Sequence, residues 1–168
     1  HGLVRTMDWE LGGIEAEGES LKIEFLLPCP EDGLPGWPHK VDLKLSIRLD
    51  EQLHICLTSH NQGTDIVTIS QALHSYFAVS DVRNVHVEGL DGLDYIETLD
   101  DWKTVTQSGD LHFTGETDRI YLDTPTQLSI VDPSWERRIE LTSSGSRSAV
   151  IWNPWTERAA AFSDMADD

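Results

Sequence analysis

The stretch Val41-Asp42-Leu43-Lys44-Leu45-Ser46-Ile47-Arg48-Leu49 alternates apolar and polar residues without a break. A period of two sends all five aliphatic side chains to one face of an extended chain, which is the pattern of a half-buried antiparallel strand. Asp50-Glu51-Gln52 then makes a short turn, and Leu53-His54-Ile55-Cys56-Leu57-Thr58 alternates again. The pair reads as a β-hairpin. Shorter runs of the same kind recur at residues 21–27, 64–70, 85–87, 95–99, 127–131, 138–142 and 149–152, with turn-rich segments between them. No window of helical length carries an apolar stripe at a period of 3.6. Many short strands with turn-rich links predict an all-β fold, an antiparallel β-sandwich. There is no fixed-period repeat, low-complexity segment or shift in composition to mark a boundary, so residues 1–168 read as one sandwich domain.

Charge narrows the partners. The chain has 12 Lys and Arg against 30 Asp and Glu, a formal net charge of -18. A field of that sign repels nucleic acid and anionic membrane surfaces, and neither is expected as a partner. An anionic substrate would need a local group of Arg or Lys set against the global field. Cys29 and Cys56 form no disulfide framework, zinc motif or C-x-x-C pair. No apolar stretch approaches the roughly 18 residues of a membrane span. No signal peptide is visible, but the chain begins at His1 rather than at a Met, so that absence decides little; a cytoplasmic location is the expectation. The chain begins at His1 and closes on an acidic tail, and both ends read as cut.

The chemistry-bearing residues are scattered. None of the seven histidines (residues 1, 39, 54, 60, 74, 86 and 112) forms H-x-x-x-H or H-x-H, so no metal is expected. There is no G-x-S-x-G, P-loop or G-x-G-x-x-G. His74 lies in Ala72-Leu73-His74-Ser75-Tyr76-Phe77, where a sheet-face histidine would have aromatic neighbours able to stack on a sugar ring. A side chain titrating near neutrality suits general acid work. From local sequence alone the plainer reading is a strand histidine hydrogen-bonded within the sheet. Asp118, in Thr117-Asp118-Arg119-Ile120-Tyr121, could accept hydrogen bonds from sugar hydroxyls, and Arg119 could pair with an acid or an anion. Unaided, the preferred reading is a turn Asp and a surface Arg leading into a strand. Arg5 and Trp9 offer a phosphate fork and an aromatic wall, or an exposed Arg and a core Trp. Trp152-Asn153-Pro154-Trp155 joins two indoles through a bend; burial is the better reading for at least one of them.

In order along the chain, His1-Gly2-x-x-Arg5-x-x-x-Trp9, Trp37-Pro38-His39, Ala72 to Phe77, Thr117 to Tyr121, Trp152-Asn153-Pro154 and the closing Asp164-Met165-Ala166-Asp167-Asp168 resemble the aldose 1-epimerase (galactose mutarotase) superfamily. They are most similar to its hexose-6-phosphate mutarotase branch, and the likeness spans the whole chain. That resemblance implies a large antiparallel β-sandwich, here partial, and interconversion of the α and β anomers of a hexose 6-phosphate without a cofactor. It implies His74 as the acid that protonates the ring oxygen and Asp118 as the carboxylate that orients the sugar hydroxyls. His1 and Arg5 would lie at the rim, with Arg5 on the phosphate. Leu3 and Val4 depart from the Phe and Ala usual there. The resemblance also puts the general-base Glu after Asp168, and N-terminal strands with a further phosphate-binding Arg before His1, so the chain alone is expected to be weak or inactive. The alternative is a non-catalytic carbohydrate-binding sandwich module.

Overall fold

Period-two alternation does govern the backbone. The structure, a computed structural model, describes residues 2–31, 33–34 and 36–162, and among them twelve strands pair antiparallel throughout. The chain divides into two units, His1–His74 and Ser75–Asp168.

The first unit is a four-stranded meander: β1 (Glu10–Glu17), β2 (Ser20–Leu27), β3 (Val41–Leu49) and β4 (Leu53–Asn61), in that order across the sheet. Its register aligns the apolar positions. Leu45 faces Phe25 on one side and Leu57 on the other, and Ile47 faces Ile23 and Ile55. One face of the sheet is therefore apolar from edge to edge. Gly12 sits at an irregularity in the β1–β2 ladder, where an added Cβ would meet the Leu26 side chain at 2.8 Å. A larger residue there would have to displace the Leu26 side chain.

The second unit holds two four-stranded sheets. One runs β11-β10-β5-β8 and the other β12-β9-β6-β7, where β5 is His86–Glu88, β6 Asp94–Glu97, β7 Lys103–Thr106, β8 Leu111–His112, β9 Thr117–Tyr121, β10 Gln127–Asp132, β11 Arg137–Thr142 and β12 Ala149–Asn153. Val87, Leu90, Tyr95, Leu111 and Tyr121 form the buried core, with Leu128, Ile130 and Ile151 packed against it. Both sheets contribute, so this unit is an antiparallel β-sandwich. Each fully buried side chain of this size contributes about 1.5–3 kcal/mol. A single-turn helix, α1 (Trp155–Ala159), follows β12. Among the described residues no helix is long and apolar enough to cross a membrane.

One expected strand is not formed. Residues 66–79 carry no regular secondary structure, and Ile66, Leu73 and Tyr76 are exposed. Alternation licenses a strand only where a ladder partner is offered, and among the described residues none pairs with this segment. It is tethered instead by single contacts. Ser59 Oγ donates to Gln71 Oε1 at 3.1 Å, and Asn61 Nδ2 donates to the Asp65 carbonyl at 2.7 Å. Beyond Phe77 the chain is clamped: fully buried Asp132 accepts from the Ser80 N–H at 2.8 Å and its hydroxyl at 2.5 Å, while Arg137 donates to the Ala78 carbonyl. Arg137 in turn lies 4.7 Å over the Trp135 ring.

Candidate functional site

Strand alternation in β9 decides which way its side chains point. Thr117 and Tyr121 are buried toward the core, so Asp118 and Ile120 occupy the opposite face. Asp118 is therefore a strand residue rather than a turn residue. Its backbone carbonyl accepts from the Thr98 N–H at 3.1 Å and the Thr98 hydroxyl at 2.9 Å, which leaves the carboxylate as its outward group.

Directly opposite Asp118 in the β9–β12 ladder is Trp152. Facing residues on neighbouring strands share a side of the sheet, so a carboxylate and an indole stand next to each other. Phe162 meets the Trp152 ring edge-on at 6.1 Å, and Arg158 from α1 lies 6.0 Å from the Phe162 ring while pairing with Glu116. The bend that carries the chain from β12 into α1 is fixed by Asn153, whose Oδ1 accepts from the Trp155 N–H at 2.9 Å. Trp155 sits at φ 58°, a left-handed conformation costing a non-glycine residue about 1–2 kcal/mol. The face thus combines hydrogen-bond acceptors with aromatic surface, the pairing that a sugar's polar edge and C–H face require.

Arg119 points the other way. Its Nε donates to Glu97 Oε2 at 3.1 Å, its Nη1 donates to Gln107 Oε1 at 3.2 Å, and its guanidinium lies 4.7 Å over the Tyr95 ring. Of the two options open from sequence, pairing with an acid is the one realised. The buried Tyr121 hydroxyl donates to the same Gln107 oxygen at 2.9 Å, and burial pushes that phenol up to about 12. Gln107 is the hub of this network. Sequence gave no signal for it, because a single Gln outside any motif resembles every other surface amide.

In the first unit, His74 is exposed in the irregular segment after β4, flanked by exposed Leu73 and Tyr76. Arg5 is exposed in a turn over residues 3–6, and Trp9 Nε1 donates to the Val4 carbonyl at 3.4 Å beside it. Trp37 packs edge-on against His39 with ring centroids 5.1 Å apart. His1, and the stretch from Asp164 to Asp168, lie outside the described residues. A hollow at the β1–β2 and β3–β4 turns is lined by Glu17, Glu19, Asp50 and Glu51. Four carboxylates make it unfit for an anionic sugar.

Comparison with known proteins bears on the family and the fold. Residues 1–168 match the family model described as aldose 1-epimerase. A Cenchrus ciliaris protein named "Putative glucose-6-phosphate 1-epimerase" is 33% identical over 177 residues, covering 99% of this chain and 54% of its own length. An Escherichia coli K12 protein of the same name is 31% identical, covering 100% of this chain and 56% of its own length. A solved Salmonella typhimurium structure, described as a "putative mutarotase", superposes with a TM-score of 0.90 at 30% identity, over 99% of this chain and 55% of its own. The chain spans a little over half the length of these relatives.

Proposed function

The chain belongs to the aldose 1-epimerase family, and from that premise we propose that it supplies the proton donor and the sugar-holding face of a mutarotase acting on a hexose 6-phosphate. His74 donates a proton to the ring oxygen while a base takes the proton of the anomeric hydroxyl, and the C1–O5 bond breaks to give the open-chain aldehyde. Rotation about C1–C2 presents either face of the carbonyl, and the reverse proton transfers close the ring as the other anomer. Atoms and charge balance without a redox partner, so no cofactor enters. Asp118 accepts hydrogen bonds from the sugar hydroxyls and Trp152 covers the ring. Arg5 takes the phosphate at the rim, with His1 beside it in sequence order.

The observation that carries this reading is the cross-strand pair of Asp118 and Trp152 on a face turned away from the core. The substrate class is supported by the names of the relatives. The family likeness assigns the general base to a segment outside residues 1–168, and sugar binding by Asp118, Trp152 and Arg5 is expected without it.

Binding is tested by calorimetric titration of the chain with glucose 6-phosphate and with glucose. Asp118→Asn and Trp152→Ala are expected to weaken both ligands, whereas Arg5→Ala weakens the phosphorylated one much more. Equal losses for both sugars in Arg5→Ala would remove its phosphate role. Unchanged binding in Asp118→Asn and Trp152→Ala would remove the proposed face.

A further inference from the structure

We infer that His86, Glu88 and Asp110, with His112 beside them, form a site for a divalent transition metal of the zinc class. The four residues come from two sequence pairs, His86-Val87-Glu88 and Asp110-Leu111-His112, which the topology sets side by side. β5 and β8 run antiparallel with His86 opposite His112 and Val87 opposite Leu111. Val87 and Leu111 are 4% and 0% exposed, buried in the core. Their neighbours at i±1 therefore stand together on the other face of the same short ladder. Sequence inspection for H-x-H or H-x-x-x-H misses the arrangement, because each strand contributes one histidine and one acid.

The distances suit one ion. One ligand atom each from His86, Glu88 and Asp110 lies within 4.8 Å of the others. Ligands on a tetrahedral zinc at about 2.0–2.2 Å stand roughly 3.3–3.6 Å from each other, so the three atoms have to draw closer to hold one ion. His112, exposed and stacked on His86 with ring centroids 5.1 Å apart, lies outside that set and would have to turn its ring to become a fourth donor. Two imidazoles and two carboxylates favour zinc, cobalt or nickel over calcium and magnesium, which take oxygen. Two carboxylates would also neutralise a dication, and the chain's charge of -18 draws cations toward it.

A competitor is present. Arg138 Nη2 holds Glu88 Oε2 at 2.6 Å, and Arg138 Nε also holds Glu140. The other Glu88 oxygen faces His86 Nε2 at 3.5 Å and is the one left for the ion. Arg138 thus fixes the carboxylate while one oxygen points inward, as a group holding a ligand from behind does. A bound ion would pin β8, a two-residue edge strand, to β5.

The test is calorimetric titration of the chain with Zn²⁺ at neutral pH, with Co²⁺ absorption as a second readout. One equivalent of Zn²⁺ is expected to bind, and a large excess of Ca²⁺ should leave its affinity unchanged. His86→Gln and Asp110→Asn should each weaken binding by about tenfold or more. His112→Ala, at an exposed position, should remove the tetrahedral Co²⁺ signature and keeps the test open if His86→Gln fails to fold. Zn²⁺ uptake of equal affinity in Asp110→Asn and His112→Ala would place the ion elsewhere and overturn the assignment, as would no stoichiometric uptake by the wild-type chain.

Discussion

The two units use the same strand grammar and reach different ends. In the second, two sheets close over Val87, Leu90, Tyr95, Leu111 and Tyr121, all 7% exposed or less. In the first, one meander carries an equally apolar face, yet Ile14, Leu49, Leu53 and Ile55 are 60%, 52%, 61% and 42% exposed. Alternation makes a sheet, but a core needs a second layer against it. Contiguous apolar surface of this kind is uncommon on soluble proteins.

The largest consequence is energetic. Leu111→Ala, at a fully buried position, is expected to cost about 2–5 kcal/mol through lost burial and the cavity left behind. Ile55→Ala, on the open sheet, should cost about 1 kcal/mol or less. Urea unfolding of both variants measures the gap, and equal losses would erase the distinction between the units.

A smaller effect concerns the open face itself. The folded chain should bind a hydrophobic dye such as ANS, and Leu53→Lys with Ile55→Lys should lower its fluorescence without lowering the melting temperature. Unchanged dye binding would mean that the open sheet is not its binding surface.

The smallest effect is confined to alkaline pH and to the closed unit. Burial raises the Tyr121 phenol from 10.0 to about 12. The folded state therefore holds that proton when the unfolded chain has lost it. The contribution is fully present below pH 10 and is lost as pH rises toward 12. Alkaline unfolding followed by circular dichroism should show this step, and Tyr121→Phe should abolish it.

The strands and the family were legible in sequence because both depend on local order. β3 was read to its ends, and β4, β10, β11 and β12 to within a few residues. β1 was not read, since Gly12 and Gly13 break its alternation, and β8 is only two residues long. The run at residues 64–70 is strand-like in composition, but no described residue pairs with it, and pattern alone does not make a strand. Asp118 was named from the family likeness, but its partnership with Trp152 rests on cross-strand register, which no single segment encodes. The His86, Glu88 and Asp110 cluster was missed for the same reason.

The central claim is that His74 is the ring-oxygen acid. It is tested by NMR magnetisation transfer between the anomers of glucose 6-phosphate, using the full-length protein and its His74→Asn variant. The account predicts accelerated exchange in the wild type and a loss of about 10²–10⁴-fold in the variant. Exchange by His74→Asn at the wild-type rate, or no acceleration by the wild type, would contradict it.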